Sequence, residues 1–169
     1  MRFLALSILH IWFVGLALFA QVEKPRPTFS EYPALNTYGG KPIPPILNKT
    51  QRRFRTMIRS GAESSVEFSG HYTVPRWGCG GGCSQLVIVD SITGRVYDVP
   101  FSISELPNPW EEKHNDHLQD RMEFHPDSRL MKFSGCLNEH DCGFYDYLMI
   151  EGKGLRLLRK ELLPKEFQY

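Results

Sequence analysis

Four cysteines fall in two close pairs, Cys79 with Cys83 and Cys136 with Cys142, and the first pair encloses only Gly80, Gly81 and Gly82. That arrangement constrains the fold more than any other feature. Three consecutive glycines do not sustain a helix, and two cysteines this close in sequence come within bonding range only if the backbone between them reverses. The run Trp77-Gly78-Cys79-Gly80-Gly81-Gly82-Cys83 therefore reads as a tight reversal that leads into the apolar run Leu86 to Val89. Its chemistry has four readings: a disulfide clip, a metal site, a reactive thiol, or a ligand loop whose glycine amides approach an anion closely.

The amino terminus bears on that choice. Met1-Arg2 supplies one positive charge, Phe3 to Phe19 is apolar apart from Ser7 and His10, and small Ala20 precedes polar Gln21. This is the layout of a secretory signal peptide over residues 1–20. An uncleaved N-terminal membrane anchor is the rival reading, because the apolar run is almost long enough to span a bilayer. A periplasmic or secreted location follows from the first reading. In an exported chain an even number of cysteines reads as disulfides. Local pairing, Cys79–Cys83 with Cys136–Cys142, is favoured by proximity, while crossed pairing would tie two distant hairpins together.

Beyond position 20 there are 149 residues, in which 19 Lys and Arg stand against 19 Asp and Glu. That length suits one domain with a buried core. A balanced charge lacks the basic footprint of a nucleic-acid binder. Residues 21–48 hold six of the twelve prolines and read as an extended, partly polyproline arm. This arm is either a spacer or a strap along the domain surface. Asn48-Lys49-Thr50 is a glycosylation sequon in form, with an unmodified loop as the plainer reading.

Residues 49–169 read as a single mainly β domain, α+β only to a minor degree. Its one predicted helix spans Lys49 to Arg59, with Phe54, Met57 and Ile58 as the apolar stripe and Gly61 as the stop. Arg52, Arg53, Arg55 and Arg59 would lie off that stripe, as a solvated face or as an anion or membrane contact. From Val66 the pattern becomes β. Hairpins are expected at Asp90–Arg95, at His125–Arg129 and at Glu151–Gly154, which together give an antiparallel meander or sandwich-like sheet of six or seven strands.

No complete catalytic set is present: the chain has no nucleophile elbow, P-loop or dinucleotide fingerprint. Cys83-Ser84 superficially resembles the catalytic start of papain-like NlpC/P60 peptidases. That family, however, places its cysteine at the head of a helix, whereas Leu86 to Val89 reads as a strand. His71 or His125 would be the nearest base. A four-cysteine zinc site would need looser spacing than usual and free thiolates. Glu111, His114, Asp116 and His117 offer metal-like ligands without a complete signature, as does His140-Asp141. No metal and no cofactor are expected. The candidate binding residues are His71, Arg76, Trp77, Gly80, Gly81 and Gly82, because an arginine and a large aromatic beside exposed glycines suit a recognition surface. For His71 and Trp77 the plainer reading is a core side chain.

Gly70-His71-Tyr72, Trp77-Gly78-Cys79-Gly80 with Cys83, Thr93-Gly94-Arg95-Val96-Tyr97 and Pro126-Asp127-Ser128-Arg129-Leu130 together resemble a group of small exported bacterial proteins of uncharacterised function. The resemblance covers roughly Phe54 to Leu158. It implies an exported bacterial protein and supplies no catalytic residues. The expectation is an exported, disulfide-stabilised binding module of the cell envelope, acting as an inhibitor or immunity-type partner of an envelope hydrolase. Its expected partner is thus an envelope protein, with a membrane met only through an uncleaved N-terminal segment. The alternative is a periplasmic hydrolase that depends on Cys83 or His71.

Overall fold

The computed structural model of the chain describes residues 25–107 and 122–168. The proposed leader and the Glu111–His117 segment lie outside them. The described residues form one antiparallel sheet of nine strands: β1 (Tyr72–Thr73), β2 (Arg76–Gly80), β3 (Cys83–Asp90), β4 (Val96–Asp98), β5 (Ile103–Ser104), β6 (Met122–Phe124), β7 (Leu130–Leu137), β8 (Asp141–Ile150) and β9 (Gly154–Leu162). One edge of β3 carries β1 and β2, and its other edge carries β4 and β5. β5 continues the sheet to β7, which also takes β6, and β8 and β9 follow as long antiparallel neighbours. The expected mainly β architecture is therefore present, with one short helix ahead of the strands.

β3 explains why four consecutive apolar residues occur in an antiparallel sheet. Alternate side chains point to opposite faces. Leu86 and Ile88 enter the main core with Phe68, Tyr72, Met131 and Phe133, while Val87 and Val89 pack under the helix with Ile58 and Ala62. Each buried side chain of this kind contributes about 1.5–3 kcal/mol, so β3, covered on both faces, is the central strut. A third cluster gathers Cys136 and Cys142 with Leu106 and Leu163.

The helical segment departs from expectation in three respects. A 3-10 turn at Gln51–Phe54 runs into α1, Arg55–Ala62, so the helix extends past Arg59. Asn48 starts it: its Oδ1 accepts from the Gln51 amide at 2.9 Å while the Asn48 amide donates to Gln51 Oε1 at 3.0 Å, a reciprocal cap. Gly61 does not stop it. It lies inside the last turn, where a Cβ would come within 2.7 Å of Pro75, so its small size lets the helix sit on the sheet. Of the expected stripe, Ile58 is buried and Phe54 partly so, but Met57 faces solvent. Spacing alone did not reveal that Ala62, one turn beyond Ile58, completes the inner face.

Two strands were not expected. Arg76–Gly80 leads into what read as a tight reversal, and no strand was expected at 103–104, yet both pair with β3. β7 and β8 also form a hairpin that turns through Asn138 and Glu139, both at positive φ. Conversely, Val66–Ser69 contributes only a single bridge, Phe68 to Tyr72.

The proline-rich arm is a strap along the domain. Ala34 donates its amide to Asp127, Tyr38 to Gly70, Ile43 to Ser91 and Ile46 to Gly94. Gly70 and Gly94 have positive φ, and a Cβ on either would collide with the arm's carbonyls at Asn36 and Pro44, so glycine is what admits the strap. Lys132 Nζ donates to the Pro27 carbonyl at 2.6 Å and pairs at 3.3 Å with Asp146, a carboxylate buried to 1 % exposure. Buried Ser128 donates its hydroxyl hydrogen toward the Phe29 and Tyr32 carbonyls, each at 2.9 Å.

Candidate functional site

The β2–β3 hairpin is closed by a disulfide between Cys79 and Cys83, and a second bridge joins Cys136 to Cys142. Local pairing is thus realised. The second pair is directly opposed across β7 and β8 and completely buried, which makes it a core staple. The first is a clip on an exposed turn. Gly80, Gly81 and Gly82 have φ of +100°, +49° and +77°, so the three glycines are first of all a requirement of the turn itself. Among the described residues, and apart from the adjoining ones, no atom lies within 4 Å of where a Cβ would stand on Gly80 or Gly81. Around Gly82 the situation differs, because the Glu105 carboxyl group comes within 3.3–3.5 Å of that position. The face of the loop that could receive an anion therefore meets a carboxylate of the chain itself.

The other sequence-predicted residues do not converge on this tip. Successive side chains of β2 point to opposite faces. Trp77 turns toward the helix, where its indole stacks on Phe54 with centroids 4.8 Å apart. Its Nε1 is buried, and among the described residues none pairs with it. Arg76 turns the other way and places its guanidinium 5.7 Å from the Phe124 ring centroid. His71 is only 4 % exposed, beside the Tyr72 ring, and its Nδ1 has no partner among the described residues. It is more buried and less fully hydrogen-bonded than a half-exposed core histidine.

Two concavities lie beside the sheet, one along the helical segment and one at the far end of β3 from the clipped tip. The first, about 270 Å³, runs between the helical segment and the sheet, with Phe54, Trp77, Gln85, Phe101 and Asn138 in its wall. Beside it Gln51 Nε2 donates to Asp98 Oδ1 at 2.9 Å, which ties the start of the helix to β4. The second, about 610 Å³ and open, lies where the strap passes the β3–β4 and β8–β9 turns, among Asn48, Asp90, Thr93, Arg95, Tyr97 and Glu151. Asp90 is already engaged, accepting from the Ile92 and Thr93 amides and the Thr93 hydroxyl. Burial, with the nearby Tyr97, Asp90 and Glu151, pushes the Tyr72 phenol upward, and burial does the same for Tyr97. Both phenols therefore stay neutral, and the Tyr72 hydroxyl is buried with no hydrogen-bond partner among the described residues.

Among the described residues no group of three or more His, Cys, Asp or Glu side chains is placed to hold a metal ion, and no helix is long and apolar enough to cross a membrane. All four cysteines are bonded, so Cys83 carries no thiolate in this state. Sequence reasoning missed Phe54 as the partner of Trp77 and Glu105 as the acid facing the glycine loop. The first pairing needed the helix to be placed on β2, and nothing in the spacing of Glu105 signals its approach. The chain matches no protein-family model, no curated protein and no solved structure.

Proposed function

We propose that this protein is an exported binding module of the cell envelope that acts through the Cys79–Cys83 hairpin, presenting its tip to the cleft of an envelope hydrolase as an inhibitor or immunity-type partner. One observation carries this reading: the tip is covalently closed, open at Gly80 and Gly81 among the described residues, and anchored by a β3 that is covered on both faces. A loop already held in one shape loses little conformational freedom on binding, which is how a small contact gains affinity. Two disulfides suit an oxidising compartment, in agreement with residues 1–20 read as a signal for export to the periplasm or beyond. The alternative, a cysteine- or histidine-dependent hydrolase, draws no support from this geometry, since Cys83 is bonded and His71 buried.

Gly78 provides the test. It is exposed on β2, and among the described residues a Cβ there would meet only the Cys83 carbonyl, at 3.9 Å. Gly78→Gln therefore adds bulk beside the tip without straining the turn. Purified wild-type protein is expected to inhibit cell-envelope hydrolase activity in a dose-dependent way, and Gly78→Gln to lose at least tenfold in potency at unchanged thermal stability. Absence of inhibition at saturating protein, or equal potency of the variant, would overturn the reading.

A further inference from the structure

Between Glu31 and Glu63 the chain contains no acid, yet it carries Lys41, Lys49, Arg52, Arg53, Arg55 and Arg59. The last five lie on or just before the 3-10 turn and α1, and all five are exposed. Among the described residues, none of the four arginine side chains makes an ion pair or hydrogen bond. Arg52, Arg55 and Arg59 follow one another at three and four residues, the spacing at which helical side chains are neighbours and like charges repel. The whole chain has a net charge of only +1, so this is a local concentration rather than a general basicity. Packing does not require it, because the inner face of the element is made by Phe54, Ile58 and Ala62.

Two further observations define the partner. None of the four arginines lines either of the two concavities described above, so neither gives them a recess in which to hold a discrete anion. Met57, 54 % exposed and four residues after Arg53, places a flexible apolar side chain among the cations. Spread positive charge with an apolar side chain on one short amphipathic element suits a planar polyanion with an apolar interior, where each cation strengthens attachment to an anionic membrane severalfold.

We propose that this arginine surface docks the protein onto anionic phospholipid headgroups, holding it against a bilayer while the hairpin on β2 remains available. The lipid contact is independent of the inhibitor reading, which supplies only the identity of the membrane met after export.

The test is co-sedimentation of the exported protein with vesicles. Vesicles rich in phosphatidylglycerol are expected to retain it, with binding that falls as salt rises, and pure phosphatidylcholine vesicles are not. The combined variant Arg52→Gln, Arg53→Gln, Arg55→Gln and Arg59→Gln is expected to lose about six hundredfold in partitioning, at roughly fivefold per cation, with unchanged circular dichroism. A control variant with Lys153, Arg156, Lys160 and Lys165 changed to Gln removes the same charge from other exposed positions and is expected to bind within about twofold of wild type. Equal retention by both vesicle types, persistence of binding in the arginine variant, or equal loss in the control would overturn the proposal. So would failure to bind vesicles while an acidic protein is retained through the same arginines.

Discussion

Replacing Ser128 by Ala tests the strap. Ser128 is 1 % exposed, and its Oγ lies 2.9 Å from the carbonyls of both Phe29 and Tyr32 while accepting from the Leu130 amide at 3.2 Å. The two carbonyls are not orphaned by the change, since Phe29 also accepts from the Tyr32 amide and Tyr32 from the Arg129 amide. What is lost is one shared hydroxyl hydrogen bond and the acceptor of one buried amide. At about 1 kcal/mol for the first and about 1 kcal/mol or more for the second, Ser128→Ala should cost roughly 2 kcal/mol. Urea unfolding should then shift its midpoint down by about 1 M at unchanged slope. Limited proteolysis should cut between Pro27 and Pro33 before the sheet is attacked, because this hydroxyl holds that part of the strap. A midpoint within about 0.2 M of wild type, with no new cleavage, would refute the idea that the arm is fastened at Ser128.

Three other outcomes are expected. Removing the hairpin clip with Cys79→Ala and Cys83→Ala should cost about 2 kcal/mol by loop entropy and expose the tip to proteases; calorimetry showing no change would mean that the turn is held by its glycines alone. Ile58→Ala, at a completely buried position between α1 and β3, should cost about 2–5 kcal/mol in denaturant, and a loss below about 1 kcal/mol would mean that the helix is not part of the core. Burial raises the phenols of Tyr72, Tyr97, Tyr145 and Tyr147 above their ordinary 10.0. Their contribution is complete below that pH and is lost as pH climbs past it, because the unfolded chain releases these protons first. Stability should therefore fall steeply above about pH 10 together with phenolate absorbance; flat stability to about pH 12 would contradict it.

The sequence made visible whatever depends on local pattern. Alternation and the unbroken run Leu86–Val89 announced a mainly β fold with a central strand, and the close cysteine pairs announced both bridges. Hidden were features decided by distant partners. β2 carries Gly78 and Gly80 and became a strand because β3 offered a free edge, and 103–104 did so because it fills the gap between β3 and β7. The candidate site was only partly legible for the same reason. Arg76 and Trp77 are adjacent in sequence, yet strand alternation sends them to opposite faces, toward Phe124 and Phe54. His71, a candidate binding residue whose plainer reading was a core side chain, is 4 % exposed, as that plainer reading expects. The glycine loop was correctly seen as a closed turn, while Glu105, the acid that approaches it, comes from a segment with no signal in its spacing.

Photo-crosslinking in exporting cells tests the central claim most directly. A photoreactive side chain at position 78, beside the clipped tip, is compared with one at position 158 on the exposed strand β9. The account predicts covalent adducts with an envelope hydrolase from position 78 that disappear when Cys79 and Cys83 are both changed to Ala. Adducts from position 158 instead, or none from position 78 while the protein still inhibits, would contradict it.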